Sequence, residues 1–304
     1  MTGIRVLTAL VLIPAVVAIV LFTPTWAVAI ALALITVLAL WEFFALGEAI
    51  GQRAYRLWTT LCSLLLIIQC WYDTRSYAYF YSGPPINLTN SVFPHPPHYS
   101  YYWFTALVSP ASLFFLFVLG LTILTLFTRR PLVEALPAAG ISSSALLLVA
   151  VPLSFAVRLH AIDSAMDFLG PRLLLFALAI TWAADTTAYF VGRATGKHPL
   201  APHISPKKTW EGSIGGLIGS LLIAYAFHYW IPIPIPHLLA MATFGNIAGQ
   251  MGDLLESACK RSAGVKDSGA LLPGHGGILD RIDALILCIP VIWYYLVLVN
   301  PPIS

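Results

Sequence analysis

Between Ser257 and Asp283 the chain reads SACKRSAGVKDSGALLPGHGGILDRID. This stretch holds Lys260, Arg261, Lys266, Asp267, Asp280, Arg281 and Asp283, in a protein that is 59% hydrophobic and only 10% charged. Two more carboxylates, Asp253 and Glu256, lie just upstream in an apolar segment. Acids beside bases and glycines describe a site for a metal ion and phosphates. Carboxylate oxygens suit Mg²⁺, which takes one or two of them and fills its shell with water and substrate phosphates. Lys260, Arg261 and Lys266 would offset phosphate charge, and Gly274, Gly276 and Gly277 would let backbone N–H groups approach an anion.

Asp253, Glu256, Ser257 and Lys260 recur at i, i+3, i+4 and i+7, which places them on one face of a helix. Asp280 and Asp283 open the next apolar segment, and the connection between the two returns the chain to the same membrane face. Asp253, Glu256, Asp280 and Asp283 are therefore the candidate metal ligands. A second cluster follows an earlier apolar segment, in TWAADTTAYFVGRATGKHPLAPHISPKKTWEG. Asp185 is a carboxylate inside hydrocarbon, a costly placement that points to function. Ser205, Lys207 and Lys208 put a hydroxyl and two ammonium groups beside the interface. Each residue also has an ordinary reading. Asp280 and Asp283 suit the first turn of a helix, whose dipole favours acids. Asp253 and Glu256 suit an interfacial ion pair with Lys260. Lys260 and Arg261 suit topological anchors, Lys207 and Lys208 suit anionic head groups, and Asp185 suits a buried acid satisfied by Thr186, Thr187 or Trp182. None of these explains the clustering as a whole.

The elements that must position these residues are membrane helices. Mean hydropathy is +0.84 over 304 residues, and apolar runs long enough to span a bilayer recur. The expected spans are 6–22, 26–46, 57–72, 103–127, 140–158, 172–192, 213–231, 237–256 and 284–299, nine in all, giving an all-α integral membrane protein. The first is expected to be retained, since no small-residue cleavage site precedes the second. Residues 1–160 read as N-terminal transmembrane helices with an outer loop at about 73–102, and 161–304 as a C-terminal transmembrane catalytic region. With the N-terminus in the cytoplasm and the C-terminus outside, thirteen of the sixteen Lys and Arg residues fall on the inner side, as the positive-inside rule requires. That puts the charged cluster on the cytoplasmic face of a multi-pass protein of the cell's inner membrane. The four cysteines are scattered and form neither a disulfide framework nor a metal motif. The net charge of +3 is unremarkable, and no nucleic-acid partner is expected. Gly212, Gly215, Gly216 and Gly219 read as helix-packing positions.

The pattern Ser257-x₂-Lys260-Arg261-x₄-Lys266-Asp267-x-Gly269-x₂-Leu272-Pro273-x-His275-Gly276-Gly277-x₂-Asp280-Arg281-x-Asp283 resembles the signature of phosphatidate cytidylyltransferases, the CDP-diacylglycerol synthases. Asp185-Thr186-x-Ala188-Tyr189-x₂-Gly192, Ser205-Pro206-Lys207-Lys208-Thr209-x-Glu211-Gly212 and Gly252-Asp253-x₂-Glu256-Ser257 also look like that family. The resemblance covers about residues 180–285; the N-terminal half is similar only in being serial spans. Cys259 replaces a larger apolar residue, and the 73–102 loop is longer than the family layout requires. The resemblance implies that CTP and phosphatidic acid give CDP-diacylglycerol and pyrophosphate, with Mg²⁺ as cofactor. Asp253 and Asp280 would hold the metal, with Glu256 and Asp283 beside them, and Asp185 would orient the site or support a second cation. Lys260 and Lys266 would neutralise the triphosphate. Ser205, Lys207, Lys208, Arg261, His275, Gly276 and Gly277 would contact substrate. A homodimer is also suggested. The open alternatives are a CTP-dependent lipid-alcohol kinase, an isoprenoid-lipid cytidylyltransferase and an ion-coupled transporter.

Overall fold

The computed structural model describes residues 2–81, 109–128, 131–162, 169–271 and 276–299. Nine long helical segments account for most of these: α1 (Thr2–Phe22), α2 (Thr25–Ala49), α3 (Arg56–Tyr81), α4 (Pro110–Phe127), α5 (Leu132–His160), α6 (Leu169–Thr195), α7 (Trp210–Phe227), α8 (Ile235–Ser262) and α9 (Leu279–Val299). Six are long and apolar enough to cross a membrane: α2, α4, α5, α6, α7 and α9. The protein is thus an all-α integral membrane protein in outline. One departure from all-helix is an antiparallel hairpin of β1 (Pro199–Ala201) and β2 (Ser205–Thr209).

Local chemistry sets the boundaries. Pro24 is the N-cap of α2, and Thr25 Oγ1 and the Val20 carbonyl both meet the buried ring of His160, at 3.1 and 3.0 Å. That ring therefore ties the α1–α2 break to the end of α5. The α4 start is capped by Ser109 Oγ, which accepts from Ser112 N at 3.2 Å with Pro110 in the first turn. α5 is interrupted by a π turn at Leu146–Ala150. It ends two residues before Pro152, which cannot donate a backbone hydrogen bond and crowds the preceding turn. α3 runs on to Tyr81, past the expected end at 72. Residues 73–81 contain no Gly or Pro, and the first such residues are Gly83 and Pro84. The remainder of the expected 73–102 loop lies outside the described residues.

α6 and α7 form the most extensive helix pair, and its cause is small residues. A Cβ on Gly219 would lie 2.3 Å from Thr187 Oγ1, and one on Gly215 would lie 2.7 Å from Val191 Cβ. Lipid tails are as apolar as leucine, so close backbone approach and good packing, rather than water exclusion, hold such helices together. α8 and α9 pack in the same way, with a Cβ on Gly252 falling 2.5 Å from the Asp283 carbonyl. The main core draws Leu40 and Phe44 from α2, Leu173, Phe176 and Ile180 from α6, Leu238 and Met241 from α8, and Leu279 from α9. Outward faces carry Trp41, Ile218 and Leu222, large apolar side chains suited to lipid.

Candidate active site

The charged residues gather where α6, α8, α9 and the hairpin meet, in two adjoining groups. The first lines a cavity of about 550 Å³ that includes Asp185, Tyr189, Lys207, Lys208, Gln250 and Asp253. Its position follows from the hairpin. Thr209 ends β2 and caps α7, its Oγ1 accepting from Gly212 N at 3.1 Å, so the preceding Lys207 and Lys208 are held at the cavity. Lys208 Nζ pairs with Asp253 of α8, while Lys207 is exposed. Ser205 is half-buried at the start of the same strand. Arg261, expected to contact substrate, donates to the Ile204 carbonyl at 3.3 Å and the Val265 carbonyl at 3.0 Å. It fastens the hairpin turn to the end of α8. Asp185 opens into the cavity, and its charge acts on Asp253, Lys208 and Arg281. The hydroxyls of Thr186 and Thr187 bond to carbonyls of their own helix, Trp182 and Ala183.

Below the cavity a polar ladder descends between α7 and α8. Ser213 Oγ meets Gln250, Gln250 Nε2 donates to Asn246 Oδ1 at 2.6 Å, and Asn246 Nδ2 donates to Ser220 Oγ at 2.9 Å. Ser220 in turn donates to the Ile180 carbonyl at 3.0 Å. Ladder and glycines together lock α6, α7 and α8 beneath the cavity.

The second group centres on Lys260, which is buried. Its Nζ pairs with Glu256 one turn back and lies 2.6 Å from Asp280 Oδ1. Of the ion pair that Asp253 and Glu256 suit with Lys260, only the Glu256 part is present among the described residues; Asp253 pairs with Lys208, and Asp280 takes its place beside Lys260. The other oxygen, Asp280 Oδ2, accepts from Ser268 N and Ser268 Oγ, both at 3.0 Å, and from Gly277 N at 2.9 Å. Glu256 Oε1 is buried without a hydrogen-bond partner among the described residues. Among the described residues, Asp253 Oδ1 receives only a long 3.5 Å contact, from Ser257 Oγ. Asp283 Oδ1 accepts from Ala284 N at 2.7 Å, and its carboxylate feels the charges of Asp253, Glu256 and Asp185. Lys266 is exposed on the α8–α9 connection. Gly276 has φ +77°, and a Cβ there would lie 2.8 Å from Asp280 Oδ2. Gly276 and Gly277 do allow close approach to an anion, and in this structure the anion is the chain's own Asp280. His275 and Gly274 lie outside the described residues.

Asp253, Glu256, Asp280, Asp283 and Lys260 thus share one end of the bundle with Asp185, Lys207 and Lys208. Among the described residues, though, no three His, Cys, Asp or Glu side chains form a ready-made metal cluster.

Two participants escape a reading of the sequence by motif. Gln250 and its ladder carry no charge to mark them. Glu42, on α2, accepts from Ile278 N at 2.9 Å, Leu279 N at 2.8 Å and Ser268 Oγ at 2.9 Å. A lone carboxylate in the apolar run ALWEFFAL is the same signal that marked Asp185.

Comparison with known proteins extends the match beyond the residues that first carried it. The model of the Cytidylyltransferase family matches residues 3–299. A phosphatidate cytidylyltransferase of Haemophilus influenzae is 35% identical over 308 aligned positions, covering 96% of this chain and 97% of its own. One from Bacillus subtilis is 45% identical over 135 residues, and one from Staphylococcus haemolyticus is 48% identical over 125. Those two matches cover 44% and 40% of this chain and about half of each relative, 50% and 48%. The N-terminal half, similar by motif only in being serial spans, is therefore part of the match, and the chain belongs to the cytidylyltransferase family.

Proposed function

We propose that the protein is a phosphatidate cytidylyltransferase that converts CTP and phosphatidic acid to CDP-diacylglycerol and pyrophosphate. The observation that carries this reading is the cavity itself. Lys207 and Lys208 stand over a space whose other walls are largely apolar helix, beside a carboxylate array. Such a cavity fits a lipid phosphate meeting a soluble nucleotide at an interface. A phosphate oxygen of phosphatidate attacks the α-phosphorus of CTP, the new P–O bond forms, and the bond to pyrophosphate breaks. The attacking oxygen is already ionised, so no general base is assigned. Two anions must meet, and the barrier is lowered by fixed cations and positioning. Lys207, Lys208 and Ser205 bind phosphate, and the exposed Lys266 meets the triphosphate from the connection above. Lys260, expected to neutralise the triphosphate, is buried against Glu256 and Asp280, so its role is to hold those two carboxylates in place.

The carboxylates suit a divalent cation, because among the described residues Glu256 Oε1 has no hydrogen-bond partner and Asp253 Oδ1 has only a long one. Asp253 and Asp280, with Glu256 and Asp283 beside them, would hold Mg²⁺, and Asp185 would support a second cation. The metal would neutralise charge on the phosphates.

All nine helices are taken to cross the membrane, with the N-terminus inside, the C-terminus outside and the site facing the cytoplasm from the inner membrane. The bias of basic residues supports this. Residues 161–304 then form the catalytic region and 1–160 its scaffold, in a homodimer.

The test is turnover of CTP with phosphatidic acid in detergent micelles, with and without Mg²⁺, detecting pyrophosphate and CDP-lipid together. Formation of both, lost in a folded Asp280→Asn protein, is the expected result. A wild type that makes neither product overturns the reading. Release of CDP with a phosphorylated lipid, when a lipid alcohol replaces phosphatidic acid in the micelles, would identify a kinase instead.

A further inference from the structure

The carboxylate of Glu42 belongs to no motif, yet it reaches the middle of the site from the other half of the chain. We propose that Glu42 is a positioning residue for the cytidylyl transfer, acting through Ser268 and Asp280; this rests on the reaction proposed above. Its two oxygens take the N–H groups of Ile278 and Leu279 at 2.9 and 2.8 Å. These open the first turn of α9, where backbone donors lack helical partners and the dipole favours negative charge. Glu42 therefore fixes the residues immediately before Asp280.

Close packing confirms that this contact is built into the connection. A Cβ on Gly277 would fall 2.2 Å from Glu42 Oε2, and one on Gly269 would fall 2.6 Å from Oε1. Two glycines of the α8–α9 connection thus leave room for a side chain that lies 227 and 235 positions earlier in the chain.

Ser268 joins the two acids. Its Oγ lies 2.9 Å from Glu42 Oε2 and 3.0 Å from Asp280 Oδ2. A hydroxyl has one proton to donate, so the two carboxylates share it. When Asp280 is drawn toward an incoming ligand, the hydroxyl turns to Glu42 and no buried donor is left unpaired. Asp280 also keeps the Ser268 and Gly277 amides, and these in turn stay where Glu42 holds the connection. Glu42 sets the position of Asp280, and Ser268 lets that position yield slightly.

The test compares full-length wild type, Glu42→Gln and Ser268→Ala in micelles by steady-state kinetics and by hydrogen exchange of residues 266–280. Glu42→Gln keeps the size of the side chain but turns an amide N–H₂ toward backbone donors. The expected result is a kcat lowered about ten- to a hundredfold, the range for charge-assisted hydrogen bonds, with KM for phosphatidate within about twofold. Exchange in 266–280 should quicken while that of the 199–209 hairpin stays unchanged. Ser268→Ala should lower kcat less, because Glu42 keeps both α9 amides. Glu42→Gln with wild-type kcat and unchanged exchange overturns the proposal. Lower thermal stability with unchanged kcat per folded molecule also overturns it, leaving Glu42 a staple only. If the wild type does not turn over CTP with phosphatidate, the reaction assignment fails, and the exchange arm still decides whether Glu42 positions the connection.

Discussion

Lys260 offers the sharpest perturbation because its environment is asymmetric. The ammonium pairs with Glu256 and Asp280, and the three side chains are 10%, 5% and 7% exposed. Lys260→Met keeps the stem and removes the charge, leaving two buried carboxylates without their shared cation. Breaking a buried ion pair from one side costs about 3–5 kcal/mol. The cost should not divide evenly. Asp280 retains donors from Ser268 N, Ser268 Oγ and Gly277 N, whereas Glu256 Oε1 has no hydrogen bond among the described residues to fall back on. Most of the loss should therefore reside at Glu256. Glu256→Gln alone leaves the Lys260–Asp280 pair standing and should cost about 1 kcal/mol. The double variant Lys260→Met/Glu256→Gln should then be more stable than Lys260→Met alone, by about 2 kcal/mol or more.

The assay is reversible unfolding in mixed micelles, followed by the fluorescence of the nine tryptophans, with turnover measured on the same samples. The double variant is expected to recover stability without recovering activity, because Asp280 still lacks its cation. A Lys260→Met loss below about 1 kcal/mol would mean the triad is wetter than the burial implies. Strict additivity in the double variant would refute the asymmetry.

Other perturbations test the framework beneath the site. Gly219→Leu forces a side chain into Thr187 Oγ1, 2.3 Å from where its Cβ would stand. It should cost at least the roughly 1–3 kcal/mol of overpacking and appear as lost monodisperse protein on size exclusion. Gly219→Ala combined with Thr187→Ala should recover part of that yield. Gln250→Leu removes the donor to Asn246 Oδ1 and to the Ser213 carbonyl. It should cost about 1 kcal/mol, in line with hydrogen bonds between membrane helices, measurable by the same unfolding assay.

Apolar run length told where helices lie, because the bilayer fixes how long such a run must be. It told ends less well. α3 continues to Tyr81 because tyrosines and polar residues lower hydropathy without breaking a helix. The 199–209 hairpin was hidden, since SPKKT is polar on both faces of the strand and has no alternation to detect. Charge clustering correctly brought Asp253, Glu256, Lys260 and Asp280 into one neighbourhood, because helical spacing is local information. It did not say which charge meets which. Lys208 pairs with Asp253 across helices, Arg261 holds the hairpin turn, and Gly277 donates to an acid of its own chain. Glu42 shows the limit most clearly. The cost of a carboxylate in hydrocarbon was legible at position 42, but its partners are more than 220 residues away, and only packing of α2 against the last connection reveals them.

The Lys208–Asp253 pair links the cavity's anion-binding and carboxylate sides, and that linkage has a sign that can be measured. An anion drawn to Lys208 competes with Asp253 for the same ammonium. Removing the Asp253 charge frees Lys208, so without a divalent cation Asp253→Asn should bind CTP more tightly than wild type. The side chains are 29% and 25% exposed, so solvent screens the pair and the gain should be small, about two- to fivefold for an interaction of 0.5–1 kcal/mol. With Mg²⁺ present the order should reverse, because the same carboxylate is a proposed ligand of the metal that accompanies the triphosphate. Titrating CTP into both proteins by calorimetry, with and without Mg²⁺, reads both signs. Weaker binding by Asp253→Asn under both conditions would mean that Asp253 does not compete for Lys208. Tighter binding under both would remove Asp253 from the metal site and leave Lys208 as its sole concern.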